Sequence, residues 1–240
     1  MNILAIGAHP DDIETSCGGT LAKFVKQGHK VFTATATNGN VGSATLPMEE
    51  IAAIRKEEAR RAAAHIGAEY ICLDYDDEMF FEDREARLAF INLVRYCKAD
   101  VILTHNPEDY NPDHELTSKI VNDIAVMIPV AKIKTPSPVY DKIPIIAYFE
   151  PVNGLGFVPT EYVDISDVIE IKMAMCREHK SQVSWMQDNY QDALGKKEKD
   201  FFDDYYTIAR YRGIQCGVEY AEGFRMANDA FRVVPRRVLP

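Results

Sequence analysis

Two short polar segments contain residue types that bind catalytic metal ions. AHPDDIE, at residues 8–14, follows an apolar run and places an imidazole beside two adjacent carboxylates. NPDHE, at residues 111–115, places a second imidazole between two acids. The candidate side chains are His9, Asp11, Asp12 and His114. Two imidazoles and one carboxylate are typical ligands of zinc with one coordination position left open. Such a site activates a water molecule for nucleophilic attack near neutral pH.

The same residues also have a structural interpretation that needs no metal. Aspartate is favoured in turns and at helix N-termini, so Asp11 and Asp12 could cap a helix. His114 taken alone would be a surface or helix-terminal histidine. Two adjacent carboxylates repel each other unless a positive charge lies nearby, and a divalent cation would supply that charge. The charge argument therefore favours the metal site.

Neighbouring residues affect how the second segment can act. Asn111 and Pro112 are residue types preferred at the N-cap and at the first position of a helix. This places His114 in the first helical turn, from which its side chain can point toward a metal. His105 ends the preceding apolar run and is either an alternative ligand or a neighbour of the ligands.

Apolar runs and helical segments predict how the two polar segments come together. Strands are predicted at residues 2–8, 30–37, 69–75, 99–105 and 145–150. Helices with an apolar stripe are predicted at residues 18–28, 48–68, 84–98 and 111–127. This order predicts a Rossmann-like, doubly wound and mostly parallel sheet in a three-layer α/β/α fold. Ligands bind at the carboxyl ends of the strands in such sheets, and both polar segments follow strands there.

The last third of the chain is less regular. Residues 129–144 contain four prolines, which predicts an irregular connection. A strand is predicted at residues 162–165, followed by a helix from about Ser166 and a helical stretch over 196–215. A chain of 240 residues has an ordinary length for one α/β domain, so we expect a single domain over residues 1–240.

The composition argues against several classes of function. A net charge of −10 disfavours nucleic acid and anionic membranes as partners, because phosphate contacts need a basic surface. No run approaches the roughly 18 apolar residues of a membrane helix, so no membrane insertion is expected. The N-terminus lacks the basic region and cleavage site of a signal peptide. The five cysteines are dispersed, as is typical of reduced core residues, and these features together predict a cytoplasmic protein.

At these segments the sequence resembles the PIG-L (LmbE-like) family of zinc-dependent N-deacetylases, which act on N-acetylglucosamine-type substrates. Three further segments are similar to family motifs. They are TATNGNVGS at residues 35–43, IRKEEARRAAAHIGA at residues 54–68 and HKSQ at residues 179–182. The matching positions span residues 3 to about 182, which is most of the chain.

The resemblance implies a role for each matching residue. The implied metal ligands are His9, Asp12 and His114, and they would hold Zn²⁺ or another divalent ion such as Fe²⁺. Asp11 would be the general base, and Arg55 would line the substrate pocket. His179 would be a pocket residue or a second acid. The structural alternatives are a solvated helix face for Arg55 and a helix surface for His179.

Two positions depart from the family pattern. Asn111 stands where many members have a histidine that stabilises the tetrahedral intermediate. Asparagine can donate a hydrogen bond at this position but cannot transfer a proton. Asn40 stands where an acid is common in the family. We expect these departures to affect substrate identity and catalytic rate rather than metal binding, and Asn111 stays a candidate catalytic residue.

Together these features predict a metal-dependent hydrolase that removes an N-acetyl group from an N-acetylglucosamine-type amino sugar or its conjugate. One alternative is a metal-dependent module that binds a sugar or anion without turnover. Another is a non-haem iron oxygenase, which uses two histidines and one carboxylate but usually has an all-β jelly-roll fold. The resemblance and the aromatic residues at 201–213 also indicate a homo-oligomer, unless those aromatics pack within one subunit.

Overall fold

A seven-stranded sheet forms the centre of the protein. The computed structural model describes residues 1–183, 202–228 and 238–240, so part of the predicted 196–215 helix lies outside the described residues. The strands in the described residues are β1 (Asn2–Gly7), β2 (Lys30–Thr37), β3 (Glu69–Tyr75), β4 (Val101–His105), β5 (Ile145–Phe149), β6 (Glu161–Asp164) and β7 (Ala221–Met226). Their order is β3-β2-β1-β4-β5-β7-β6. The first five strands are parallel, while β7 is antiparallel to both β5 and β6.

Helices cover both faces of this sheet. The helices in the described residues are α1 (Asp12–Lys26), α2 (Met48–Ala64), α3 (Arg84–Cys97), α4 (Pro112–Ile124), α5 (Ile169–Cys176) and α6 (Phe202–Cys216). On β1, Ile3 and Ala5 face the core that α1 and α5 cover, whereas Leu4 and Ile6 face the core that α3 and α4 cover. Side chains alternate across a strand, so a strand buried on both faces is apolar throughout. The predicted three-layer α/β/α fold is confirmed.

Two elements differ from the sequence prediction. Helix α5 begins at Ile169 rather than near Ser166, because Asp164 accepts hydrogen bonds from the amide and hydroxyl of Ser166 in a turn. Strand β7 was not predicted, since Glu222, Gly223 and Arg225 interrupt the apolar pattern of its sequence AEGFRM. Glu222 is nevertheless 3% exposed, so β7 carries a buried carboxylate into the core.

That carboxylate stabilises a break in the helix that begins with Asp12. Cys17 has non-helical backbone angles (φ −141°, ψ 15°), which interrupts the hydrogen bonding of α1. Glu222 accepts a hydrogen bond of 3.0 Å from the amide of Gly19, after the break. Lys172 donates 2.7 Å to the carbonyl of Thr15, before the break, and 2.6 Å to Glu222. The buried ion pair therefore satisfies backbone groups on both sides of the kink.

The cysteines and the aromatic residues of α6 bear on two further predictions. All five cysteines are free, and Cys17, Cys97 and Cys176 are buried as expected, whereas Cys72 is half-buried and Cys216 is exposed. Within α6, Phe202, Tyr205 and Tyr206 pack against the core of their own chain, while Tyr211 is exposed.

Most of the aromatic residues of α6 therefore pack in the core of their own subunit. The homo-oligomer stays a prediction.

Among the residues described, no helix combines the length and the apolar character that crossing a bilayer requires.

Candidate active site

The two polar segments meet at the point where the strand order of the sheet reverses. Strands β1 and β4 are hydrogen-bonded neighbours, whereas the chain passes from β1 to β2 on the other side. Such a switch point opens a crevice at the carboxyl ends of the strands. His9 lies two residues beyond β1, His105 ends β4, and His114 lies in the first turn of α4. Sequence segments about a hundred residues apart are thereby brought into contact.

The three predicted ligands lie close enough together to share one metal ion. Nδ1 of His9 lies 3.2 Å from Nε2 of His114. Asp12 places Oδ1 3.3 Å from Nε2 of His114 and Oδ2 3.5 Å from Nδ1 of His9. With metal–ligand bonds of 2.0–2.1 Å, neighbouring ligands of a tetrahedral zinc ion are about 3.3 Å apart. The donor set and its spacing fit a divalent metal of zinc's size.

A carboxylate lies beside the other ring nitrogen of each predicted ligand histidine. Asp77 places Oδ1 3.0 Å from Nε2 of His9, and Asp109 places Oδ1 3.1 Å from Nδ1 of His114. Asp77 and Asp109 are both shielded from solvent at the side chain. A carboxylate in this position fixes the orientation and tautomer of a ligand imidazole and raises its basicity.

Asn40 holds one of these carboxylates in place. Its Oδ1 accepts a hydrogen bond of 3.0 Å from the amide of Asp77, and its Nδ2 donates 2.8 Å to Asp76. An acid at this position could accept the first of these bonds but could not donate the second. The departure from the family pattern at Asn40 is thus accommodated by the loop that follows β3.

His105 is a neighbour of the ligands in this arrangement. Its Nε2 lies 3.1 Å from Oδ2 of Asp12 and 2.9 Å from the amide nitrogen of Ala8. Its ring stacks on that of His114, with centroids 3.9 Å apart. Burial and the adjacent His114 lower the pKa of His105 to about 4, so the ring is neutral at pH 7.

The three predicted ligand side chains form a compact charge cluster. Burial opposes the charged form of His114, but Asp12 and Asp109 outweigh it and raise the pKa of His114 to about 9. Burial likewise opposes charge on Asp12, yet the three imidazoles around it hold its pKa well below the usual range. The pKa of His9 is raised well above its usual value, with burial opposed chiefly by Asp12. Metal binding to imidazole and carboxylate ligands is coupled to the release of such protons.

Asp11 differs from Asp12 in both backbone and surroundings. It has φ 135° and ψ −20°, a region that residues other than glycine rarely adopt. Its side chain is about a fifth exposed (22%), whereas that of Asp12 is 9% exposed and faces the histidines. Burial raises the pKa of Asp11, and the nearby guanidinium of Arg55 opposes this. The carboxylate of Asp11 is therefore more exposed than that of Asp12, and it is not part of the candidate metal-binding group.

Arg55 is buried beneath this loop. It is 4% exposed, so the alternative of a solvated helix face is wrong. Its two Nη atoms contact oxygen atoms of Pro10, Asp11 and Gly39. All of these contacts are made within the protein itself.

The HKSQ segment connects three parts of the site. His179 lies 3.2 Å from the carboxylate of Glu14, and at 2% exposed it is not a helix-surface residue. Ser181 donates 2.9 Å and 2.6 Å, through its amide and hydroxyl, to the carboxylate of Glu58. Gln182 donates 3.1 Å to the carbonyl of Gly42. The segment therefore binds α1, α2 and the loop after β2.

Asn111 is the N-cap of α4, as predicted. Its Oδ1 accepts hydrogen bonds of 2.8 Å and 3.4 Å from the amides of Asp113 and His114. Pro112 occupies the first helical position. Because the cap fixes the oxygen toward the helix amides, the orientation of the side-chain NH₂ group is fixed as well.

Comparison with known proteins identifies the family. The sequence profile of the PIG-L family, described as GlcNAc-PI de-N-acetylase, matches residues 4–125, about half of the chain. This chain belongs to the PIG-L family. The match begins within β1 and extends through α4, so it includes all three predicted ligands.

Similar members have more than one activity. Diacetylchitobiose deacetylase of Thermococcus kodakarensis is 28% identical, over 95% of this chain and 84% of that protein. A solved structure of N,N'-diacetylchitobiose deacetylase from Pyrococcus horikoshii is 27% identical, with a TM-score of 0.79 over 94% of this chain and 83% of that one. The 4-oxalmesaconate hydratase of Pseudomonas putida is 23% identical over 97% of this chain and 89% of that protein.

Two side chains of this site were not predicted from the sequence. They are the carboxylates behind the ligand histidines, Asp77 and Asp109. Asp109 lies five residues before His114, within the same polar segment, so its proximity could have been suspected. Asp77 follows β3 in the sequence YDDEM, where nothing distinguishes it from Asp76 until the fold places it against His9.

Proposed function

We propose that this protein is a metal-dependent hydrolase that removes an N-acetyl group from an N-acetylglucosamine-type amino sugar or its conjugate. One observation carries the proposal. A metal-binding triad with 3.2–3.5 Å between its donor groups lies beside Asp11, a carboxylate outside the triad. Hydrolysis of an amide needs both a Lewis acid and a proton acceptor near one water molecule.

The proposed metal ligands are His9, Asp12 and His114, and zinc is the proposed ion. A metal there would polarise the amide carbonyl and lower the pKa of a water molecule. Fe²⁺ is the alternative ion, because imidazole and carboxylate ligands accept both.

Asp11 is proposed as the general base and later as the acid. Its carboxylate takes a proton from the attacking water, and its raised pKa favours holding that proton. The protonated Asp11 then gives the proton to the departing amine. The new C–O bond forms first, and the C–N bond breaks in the following step as the amine leaves with that proton, so acetate and the free amine account for all atoms without another reactant.

Asn111 is proposed to stabilise the developing oxyanion. Its Oδ1 is committed to the helix amides, which leaves the NH₂ group as a donor of fixed orientation. A preorganised neutral donor stabilises negative charge without titrating. It replaces the positive charge that a histidine could bring to this position.

The proposed substrate class is supported by the family and by its members. The family is described as a de-N-acetylase of an N-acetylglucosamine conjugate, and two of the similar proteins are diacetylchitobiose deacetylases. The similar hydratase acts on a different kind of bond. The oxygenase alternative is disfavoured because the site lies on a mostly parallel α/β sheet rather than in a jelly roll.

Catalytic turnover tests the proposal directly. The zinc-loaded protein is incubated with a panel of N-acetylglucosamine conjugates, and release of acetate and of the free amine is measured. We expect equal amounts of both products, with turnover abolished by a chelator and restored by zinc. Binding without acetate release would favour the binding module. Hydration of 4-oxalmesaconate without deacetylation would favour the hydratase chemistry of the Pseudomonas relative.

A further inference from the structure

Exposed apolar side chains are common at the edge of the sheet that carries the candidate site. The loops after β2, β3, β4 and β5 each have at least one, namely Val41, Met79, Tyr110 and Leu155. These loops follow the carboxyl ends of parallel strands, the edge at which His9 and His114 lie. Apolar groups exposed together beside a cleft mark a surface that binds a ligand or a partner.

Within this group, Tyr110 contacts a predicted metal ligand. Its ring meets that of His114 edge to face, with centroids 5.5 Å apart and 75° between the ring planes. Tyr110 is nevertheless 72% exposed, so most of its surface faces outward from this contact. An aromatic surface is therefore available immediately beside the proposed metal position.

Hydrogen bonds on both sides of Tyr110 fix the backbone that carries this ring. The amide of Asn111 donates 3.2 Å to Oδ1 of Asp109, across Tyr110, and the amide of Asp109 donates 3.2 Å to Glu115. Oδ1 of Asp109 also lies 3.1 Å from Nδ1 of His114. Tyr110 is thus the middle residue of an Asx turn that is anchored to the first turn of α4. A ring on a preorganised turn loses little conformational freedom when a ligand covers it.

The hydroxyl of Tyr110 adds no charge to the cleft. Partial burial and the carboxylates of Asp12 and Asp109 raise the pKa of Tyr110 to about 12, so the phenol is neutral at pH 7. Asp11 and His9 also affect this pKa, which places the phenol near both the metal position and the proposed base. Tyr110 therefore offers a flat neutral surface at the place where substrate must enter.

The proposed reaction brings a sugar ring to the same place. The amide carbon must lie at the metal, and the sugar carbon that bears the nitrogen is only two covalent bonds away from it. In glucosamine the ring substituents are equatorial, so C–H groups project from both faces of the pyranose and make them apolar. An aromatic side chain supplies a large apolar surface that matches such a face.

We propose that Tyr110 binds the substrate by packing its ring against the C–H face of the pyranose that carries the acetamide. This inference rests on the proposed function and names a residue that selects cyclic amino sugars over open-chain amides. The role belongs to the aromatic ring and not to the hydroxyl.

Binding and kinetics on matched variants test this role. Zinc-loaded wild type, Tyr110→Ala and Tyr110→Phe are compared for the Kd of glucosamine, the expected product, by calorimetry, and for kcat and KM on an N-acetylglucosamine conjugate. We expect Tyr110→Ala to raise Kd and KM about tenfold, with kcat changed less than about twofold and zinc retained. Tyr110→Phe should match the wild type within about twofold. For an open-chain acetamido alcohol, Tyr110→Ala should leave kcat/KM unchanged.

The control variant is Tyr96→Ala, which removes a tyrosine of comparable exposure at the other edge of the sheet. Tyr96 is 54% exposed on α3, and its hydroxyl donates 2.7 Å to Glu69 at the start of β3. This variant should leave Kd and KM unchanged. If Tyr110→Ala fails to fold, Tyr110→Leu takes its place, because leucine keeps apolar bulk without a flat face.

Three results would overturn the proposal. Unchanged Kd and KM in Tyr110→Ala would show that the ring does not bind the sugar. Losses in Tyr110→Phe equal to those in Tyr110→Ala would assign the role to the hydroxyl. A lower molar mass of Tyr110→Ala by light scattering, with Kd unchanged, would show that the ring packs against a second copy of the chain.

The same measurements separate this proposal from the proposed function. If the wild type releases no acetate but binds glucosamine about tenfold more tightly than Tyr110→Ala does, deacetylation is rejected and the role of Tyr110 is supported. If the wild type releases acetate and Tyr110→Ala has the same Kd and KM, deacetylation is supported and the role of Tyr110 is rejected.

Discussion

Asp77 Oδ1 lies 3.0 Å from Nε2 of His9, on the side of the ring opposite Nδ1, which faces His114. The same relationship joins Asp109 to His114. Each proposed ligand imidazole thus has one nitrogen toward the metal position and the other toward a buried carboxylate. A carboxylate there holds the ring in the tautomer that leaves the metal-facing nitrogen free.

Removing either carboxylate should weaken metal binding. We expect Asp77→Ala and Asp109→Ala each to lower zinc affinity by about 10- to 100-fold, since the ligand loses its orienting partner. Competition with a chromophoric chelator measures this affinity. Asp74→Ala, an exposed acid on β3 that pairs with Lys56, is the control. Unchanged affinity in both variants would show that the ligands need no support from these carboxylates.

The adjacent acids of the HPDD segment should separate by role. Asp12→Ala should lose zinc and activity together, because its carboxylate is one of the three proposed ligands. Asp11→Asn keeps the size of the side chain and removes the proton acceptor, so zinc should remain while kcat falls about 10²–10⁴-fold. Metal analysis and steady-state kinetics on the same preparations measure both. Loss of zinc in Asp11→Asn with a fully active Asp12→Ala would invert the assignment.

Two roles of Asn111 can be distinguished by substitution. Asn111→Ser keeps an N-cap oxygen and removes the NH₂ donor, whereas Asn111→Ala removes both. We expect both variants to lose activity about tenfold or more. Only Asn111→Ala should also lose stability, by about 1 kcal/mol. Urea unfolding and kcat are the measurements. Full activity in Asn111→Ser would show that the oxyanion is stabilised without this residue.

The metal-free protein should lose stability as pH rises from about 6.5 to 9. The folded-state pKa of His114 is raised to about 9, above its ordinary value of 6.5. The protonated ring therefore stabilises the fold below pH 6.5, and this contribution disappears as pH rises through 9. The loss is up to about 3 kcal/mol. Urea unfolding with a chelator, at pH 6.5, 7.5 and 9, measures it.

Zinc should reverse this dependence. The ligands bind metal only when deprotonated, so the stabilisation by a fixed zinc concentration grows over the same pH range. His114→Gln should reduce the pH-dependent loss in the metal-free protein, and the raised pKa of His9 accounts for the part that remains. A free energy of unfolding that rises with pH in the metal-free wild type would contradict the charge cluster described here.

The ion pair at the break in α1 should matter more for stability than an exposed pair. Lys172→Met leaves Glu222 buried without its cation and should cost about 3–5 kcal/mol. The double variant Lys172→Met, Glu222→Gln removes the unpaired charge and should recover part of the loss. Lys23→Met breaks a more exposed pair with Asp167 and should cost about 1 kcal/mol or less. Equal effects of Lys172→Met and Lys23→Met would mean that the kink needs no ion pair.

Much of the site could be predicted from the sequence because its key residues adjoin strand ends. His9 and Asp12 follow β1 within a few residues, and His114 lies in the first turn after a clear N-cap. Apolar periodicity identifies the strands, and parallel strands place their carboxyl ends at one edge. The sequence alone therefore determined the α/β class, the meeting of the two segments and the candidate ligands.

The tertiary structure alone decided which partners surround those ligands. Four ionisable side chains of types that are usually exposed are buried in this protein. They are Arg55, Asp77, His179 and Glu222. Each is buried against a group distant in sequence, as Glu222 is against Gly19 and Arg55 against Asp11. Burial of a charge is stable only when such a partner is present, and local sequence does not contain that partner. The fold brings the partners together, which is why the supports of this site could be identified only in three dimensions.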